Sequence, residues 1–316
     1  MARTKPFLLP VVLLVAMFTS GCLFRSHKVP TRITVTNVRS ATLADLEKEM
    51  NTQAAAIKTL NATVDIDTSV GGAKKGKVTD FQEIRGYILV RKPDMLRMIG
   101  LLPVVRNRAF DMVSDPQGFK LYIPPKNKFY VGPPNVTHPS TNTLENLRPN
   151  VIYDALLLRP VDPKTEIAVL EQSSETITDS RTKNQVEFPT YVVDVLMKNP
   201  QGQWFLSRKV SFSRMDLQPH KQQIYDSNGN LVTEATYEEY KDFNGTQFPS
   251  SIKILRPKEE YTIGLNVLKL TVNEPLKDDQ FALAQPAGAQ LVRLDANGDQ
   301  PQQAPTPGGD GEKKPD

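Results

Sequence analysis

Period-two alternation, broken at short intervals by turn residues, runs through most of this chain and restricts it to an antiparallel, mainly β architecture. Ala62, Val64, Ile66, Thr68 and Val70 alternate with Thr63, Asp65, Asp67 and Ser69, giving a strand with one dry and one wet face. Gly71, Gly72 and Gly76 mark the turn after it. Further strands are expected over 81–92, 95–99, 108–114, 119–123 and 128–132, with Asp115-Pro116-Gln117-Gly118 and Pro124-Pro125-Lys126-Asn127 as turns. The rhythm resumes over 166–172, 187–198, 203–214, 222–225, 231–240, 251–256 and 261–272. Pro200-Gln201-Gly202, Ser227-Asn228-Gly229 and Asn244-Gly245 separate these later strands, and Asn-Gly is a strong hairpin signal in that setting. In the hairpin 187–214, Tyr191, Val193, Val195 and Met197 share one face and Trp204, Leu206, Val210 and Phe212 share the facing one, interrupted by Arg208. Along the last strand Tyr261, Ile263, Leu265 and Val267 are odd-numbered while Leu268, Leu270 and Val272 are even, so a bulge is expected near Val267.

Two segments read differently. Thr42 is an N-cap with Asp45 as its capping-box partner, and Leu43, Leu46, Met50, Ala54, Ile57 and Leu60 recur at three- and four-residue steps, which predicts an amphipathic helix over 43–60. Residues 133–146, with Pro133, Pro134 and Pro139, read as an irregular excursion. Pro149 then suits the first turn of a second helix, which Val151, Ile152, Ala155, Leu156 and Leu158 make apolar along one side. A sheet with one apolar face must cover that face. Either the helices leave part of it open, or they fill the interior.

The ends of the chain are of another kind. Arg3 and Lys5 lead an apolar core over 7–18, too short to span about 30 Å of hydrocarbon, and small residues Thr19, Ser20 and Gly21 precede Cys22. Residues 1–21 therefore read as a secretory signal. Their removal takes away Arg3 and Lys5 and leaves 37 basic against 35 acidic residues, interspersed along the chain, which argues against a nucleic-acid partner. Cys22 is the single cysteine, so an exported domain has no disulfide and depends on its core. Residues 22–41 read as a tether, 42–284 as the folded domain, and 285–316, rich in Pro, Gly, Gln, Asp and Lys, as a disordered tail.

The Thr19-Ser20-Gly21-Cys22 junction resembles the bacterial lipoprotein signal, in which the cysteine becomes the acylated first residue. Thr19 stands where that pattern has leucine, and an ordinary signal-peptidase cut nearby is the alternative. Leu23 and Phe24 follow where aspartate favours inner-membrane retention, which implies an outer-membrane, periplasm-facing location. The folded part is similar to the outer-membrane lipoprotein carrier and receptor family, LolA and LolB. That resemblance rests on the capped helix 43–60, on Gly86-Tyr87-Ile88-Leu89-Val90 leading into Pro93 and Leu96-Arg97, and on the strand-turn-strand 119–132. Phe248-Pro249-Ser250-Ser251-Ile252-Lys253-Ile254, the strand 265–272 and Phe281-Ala282-Leu283 complete it.

The resemblance implies an α+β fold, mainly β: a half-open, strongly curved antiparallel barrel wrapping an N-terminal amphipathic helix, with a helical insertion. Its concave face would hold acyl chains, and Ile88, Val90, Val193, Val195, Leu206, Phe212, Ile254 and Leu265 are the cavity candidates. The apolar connection Gly100-Leu101-Leu102-Pro103-Val104-Val105 lies where turn chemistry demands polar residues, and it resembles by position the protruding loop of LolB. Leu101, Leu102, Val104 and Val105 are thus candidates for membrane contact; a loop folded back on its own core is the alternative.

Catalysis finds no support. His27, His138 and His220 stand at no metal-ligand spacing, and neither a nucleophile elbow nor a phosphate-binding glycine loop occurs. The expectation is a protein with no cofactor and no metal that binds lipid or an acylated lipoprotein, for lipoprotein reception, insertion or lipid handling. A periplasmic carrier protein is a candidate partner. A sensor or accessory subunit binding lipid or protein, and a structural envelope lipoprotein with a filled core, are the alternatives.

Overall fold

The computed structural model describes residues 32–34, 37–74, 76–133, 148–178 and 184–294, the side chains of 32–34 and Ile177 excepted. The expected signal segment, Cys22, most of the tether, all but the first residue of the proline-rich excursion and residues 295–316 of the expected tail lie outside the described residues.

The described elements run β1 (Arg32–Thr34), α1 (Leu43–Ala56), β2 (Thr59–Gly72), β3 (Lys77–Asp80), β4 (Ile84–Arg91), β5 (Met95–Leu101), β6 (Arg108–Asp115), β7 (Gly118–Ile123), β8 (Lys128–Gly132) and α2 (Pro149–Leu156). There follow β9 (Glu166–Thr178), β10 (Gln185–Lys198), β11 (Trp204–Ser213), β12 (Pro219–Tyr225), β13 (Leu231–Phe243), β14 (Thr246–Arg256), β15 (Tyr261–Val272) and β16 (Gln290–Arg293). The chain divides into two compact units. The smaller comprises Met1–Val35 and Glu175–Phe188, and in it β1 pairs in parallel with the start of β10, Arg32 opposite Gln185.

The larger unit, Thr36–Ser174 and Pro189–Asp316, carries both helices. Its strands lie in the order β10-β11-β12-β13-β14-β15-β2-β4-β5-β6-β7-β8-β16, with β3 against β2 and β9 against β10. From β10 to β8 every neighbouring pair is antiparallel. The result is the half-open curved barrel with a helix inside that the family resemblance implies. Two meanders meet where β15 lies beside β2, from Tyr261 opposite Val70 to Val272 opposite Leu60, and the register shift between Val267 and Lys269 is the predicted bulge.

The helices divide the concave face between them. Leu46 and Met50 of α1 pack on Tyr191, Val193, Val195, Val210 and Phe212 of β10 and β11. Val151, Ile152, Ala155 and Leu156 of α2 pack into a larger cluster formed by β2, β4, β5, β6, β13, β14 and β15. Arg208, which breaks the apolar face of β11, is 1% exposed and donates to the carbonyls of Arg159 (2.6 Å) and Pro160 (2.7 Å) and to Glu166 (3.2 Å). It ties the segment after α2 to the sheet.

Several boundaries shift, and three of the shifts have a visible cause. The first helix ends at Ala56, not Leu60: the side chain of Asn273 donates to the Ala56 carbonyl (2.7 Å) and accepts from Lys58 N–H (2.8 Å), closing the helix. Leu60 instead begins the buried face of β2. The tail does not begin at 285, because 290–293 form β16, which pairs in parallel with β8 and lets Leu294 pack on Phe119 and Tyr130. Burial of Ala289 and Leu294 supplies the apolar contact that a compositional reading of the segment overlooked. Finally, Gly100 and Leu101 belong to β5, with Leu101 opposite Arg85 and Arg108, so the apolar connection shortens to 102–107.

Candidate functional site

Where α1, α2 and the β13–β14 hairpin approach one another, the interior opens as a groove of about 330 Å³. Its walls are mostly apolar: Ala56 and Ile57 at the end of α1, Leu156, Leu157 and Leu158 at the end of α2, and Pro219, Tyr240, Phe248 and Pro249 across from them. Polar groups sit at the rim, among them Glu49, Gln53, Gln218 and Lys92. Gln53 donates to Glu49 (2.9 Å) and Gln218 (3.1 Å), joining α1 to the turn before β12. Tyr240 donates its hydroxyl to the Pro219 carbonyl at 2.5 Å, which fixes its ring as a wall.

Tyr237 also lines this groove and behaves differently. It is 5% exposed, and its hydroxyl has no hydrogen-bond partner among the described residues. Burial pushes the hydroxyl pKa far above the ordinary tyrosine range, and the negative charge of Asp154 adds to the rise. An unpaired buried hydroxyl costs about 1–3 kcal/mol, so this position is held at some expense to stability.

Lys92 links this groove to a second one of about 620 Å³ on the other flank of Leu157, which Asn51, Ala54, Asp94, Tyr153, Asp154 and Arg159 help to line. The ammonium of Lys92 donates to the Ala54 carbonyl of α1, and burial lowers its pKa. Tyr153 donates its hydroxyl to the Pro93 carbonyl. The β4–β5 turn thereby holds both helices, one through Lys92 and the other through Tyr153. Gln222 adds a bond from β12 to the Asp154 carbonyl at 2.9 Å. Burial raises the Asp154 pKa, Asp94 raises it further, and Arg159 and Arg208 oppose the change.

The acyl-cavity candidates occupy other positions. Ile88, Val90, Ile254 and Leu265 lie in the cluster beneath α2, and Val193, Val195 and Phe212 lie in the cluster beneath α1. Leu206 is half-buried near the start of β11. None of the eight lines either groove; seven are packed core. Alternation along strands identifies which side chains point inward, but not which of them a helix then covers. The groove residues Tyr237, Tyr240 and Lys92 carry no separate signal in the sequence, since each looks like any other strand or turn position, and Phe248 enters only as part of the closing-strand resemblance.

The connection 102–107 projects as a tight turn closed by Leu102 N–H to the Asn107 carbonyl (2.7 Å) and Arg106 N–H to the Leu102 carbonyl (3.0 Å). Val104 is 98% exposed and Val105 62%, whereas Leu101 and Leu102 are half-buried. The valines, not the leucines, form its apolar tip. Its base is fixed by Asp111, which is fully buried and accepts from Arg97 (3.0 and 2.7 Å) and from Arg108 (2.9 Å).

Among the described residues no group of three His, Cys, Asp or Glu side chains could hold a metal ion, and no helix is long and apolar enough to cross a membrane. One family model, described as an uncharacterized protein, matches residues 169–285. No curated protein matches the chain. Among solved structures, the chain is similar to a LolA superfamily protein from Nitrosomonas europaea, with 13% identity and a TM-score of 0.46 over 77% of this chain and 99% of that one. It is also similar to a structure described as an outer membrane lipoprotein-sorting protein domain from Vibrio parahaemolyticus, with 12% identity and a TM-score of 0.43 over 75% and 94% of the two chains.

Proposed function

We propose that this protein binds acyl chains, those of a lipid or of an acylated lipoprotein, in the space between its concave sheet and its two helices. Lipid anchoring through Cys22 would hold it at the outer membrane facing the periplasm, where it would receive, insert or otherwise handle the acylated ligand. One observation carries the reading: the apolar concave face is covered by two short helices rather than a second sheet, and an apolar groove remains where they meet. A groove of about 330 Å³ lies at the small end of ligand sites, so a full chain requires the helices to shift and expose core residues such as Ile88 and Leu265.

The exposed pair Val104 and Val105 gives the molecule a second apolar feature, suited to touching a bilayer or an incoming acylated protein. A structural envelope lipoprotein with a filled interior is favoured by the packing of seven of the eight candidates against other side chains. Mass spectrometry of lipids co-purifying with the folded domain, together with displacement of a fluorescent acyl probe, separates the two. Bound acyl species and saturable displacement are expected. A domain that carries no lipid and binds no probe is a structural one.

A further inference from the structure

We propose that Tyr237 is the polar contact of the acyl site, donating its hydroxyl to a neutral acyl carbonyl, ester or amide, whose hydrocarbon chain lies along the groove. The inference deepens the acyl-binding reading and rests on it. Three observations converge on Tyr237. Its hydroxyl, itself closed to solvent, is a buried donor without a partner among the described residues, on a side chain that lines the groove together with buried Ile57, Ala155, Leu156, Leu157 and Phe248. The neighbouring Tyr240, also lining the groove, has its hydroxyl spent on the Pro219 carbonyl, so one donor is used in the scaffold and one is left for what enters. The charge of Asp154 acts on Tyr237, while the ammonium of Lys92 at the groove's rim is held on the Ala54 carbonyl, so a ligand carboxylate at the Tyr237 hydroxyl would meet repulsion that an ester or amide carbonyl would not. An apolar wall with a single positioned donor is the composition of a site that orients a chain by one end.

Ester-linked glycerolipids and amide-linked acylated peptides offer the same carbonyl. Methyl dodecanoate and N-dodecanoylglycinamide represent the two sources, dodecanoate the carboxylate, and dodecane the chain alone. Their displacement of a fluorescent naphthylamine is measured on the wild type and on Tyr237→Phe. This variant keeps the ring and loses the unpaired hydroxyl, so its melting temperature should be equal or higher. In the wild type the neutral carbonyl compounds should bind about tenfold tighter than dodecane, the worth of one hydrogen bond. Dodecanoate should bind more weakly than its methyl ester. In Tyr237→Phe the tenfold advantage should vanish while dodecane binds as before, and whichever of ester and amide binds the wild type tighter names the source. Equal preference in variant and wild type, or tighter binding of dodecanoate than of its ester, overturns the role of Tyr237 and leaves acyl binding standing. If none of the four displaces the probe from the wild type, the acyl-binding reading itself fails.

Discussion

Asp111 has no exposed surface, yet it is a charge, and its two partners are unequal: Arg97 is 14% exposed at its side chain and Arg108 is 54% exposed. The Arg97 pair is the one that matters energetically, because its bidentate geometry is shielded from water, whereas the outer arginine is screened. Arg97 also donates to the Gln280 carbonyl (2.9 Å), so one guanidinium joins β5, β6 and the short 3₁₀ turn Asp278–Phe281 that follows β15. Removing the carboxylate leaves a largely buried cation unpaired. Asp111→Ala should therefore cost about 3–5 kcal/mol in urea denaturation, and Arg108→Ala under about 1 kcal/mol. Equal effects from the two variants would show that the site is wetter than its geometry indicates. Neither Asp111 nor Tyr237 was legible as special in the sequence. Each occupies an ordinary strand position, and only the neighbours brought in by register decide whether its polar group is satisfied.

At the scale of elements, local signals read well and long-range ones did not read at all. The capping box is present as expected, Thr42 Oγ1 accepting from Asp45 N–H at 3.3 Å and the Asp45 carboxylate accepting from Thr42 N–H at 2.9 Å. The other end of the same helix is set by Asn273, 217 positions from Ala56, and no local pattern announces it. Because Asn273 has a left-handed backbone (φ 62°) and makes two helix-end bonds, Asn273→Ala should lose about 1–2 kcal/mol by thermal or urea unfolding. Asn273→Gly, which relieves the backbone, should lose less. Unchanged stability in both would mean that α1 ends where it does for other reasons.

β16 gives a second case. Its composition reads as unstructured, but pairing with β8 supplies the backbone partners and Phe119 and Tyr130 supply the apolar wall. A chain ending at Ala287 should lose roughly 2–4 kcal/mol, from the burial of Leu294 and Val292. A chain ending at Asp295 should melt with the full-length protein, since the residues beyond it are compositionally unable to build a core. If both truncations melt alike, β16 contributes nothing to the fold.

For the whole molecule, the order of elements and the antiparallel architecture were readable, because turns and alternation are local properties, and the curvature entered through the family resemblance. How completely the helices fill the concave face was not, since that depends on contacts between segments far apart in the chain. The connection 102–107 was readable as unusual but not in its detail: apolar character pointed to four residues, and geometry leaves Val104 and Val105 at the tip. Changing both to Glu removes exposed apolar surface without opening a cavity, so stability should shift by no more than about 0.5 kcal/mol. Association with vesicles should fall, because each valine entering the acyl region contributes about 1.5–3 kcal/mol. Flotation of Cys22→Ala chains with and without the two substitutions isolates this term from any lipid anchor. Undiminished flotation of the substituted chain would remove the loop from the proposed membrane contact.

The junction of β15 with β2 carries a consequence in time rather than in space. Each meander joins strands that follow one another closely and can assemble from hairpins that close in microseconds. The junction pairs residues on the order of 200 positions apart, Val70 with Tyr261 and Leu60 with Val272, and its closure entropy must be met before any contact along it is gained. On these grounds the two meanders are expected to form early and separately, and the junction to zip after them. Until it does, β2 and β15 each expose an unpaired edge and half of an apolar face. A newly made chain is most open to chaperones, and to aggregation, in that interval.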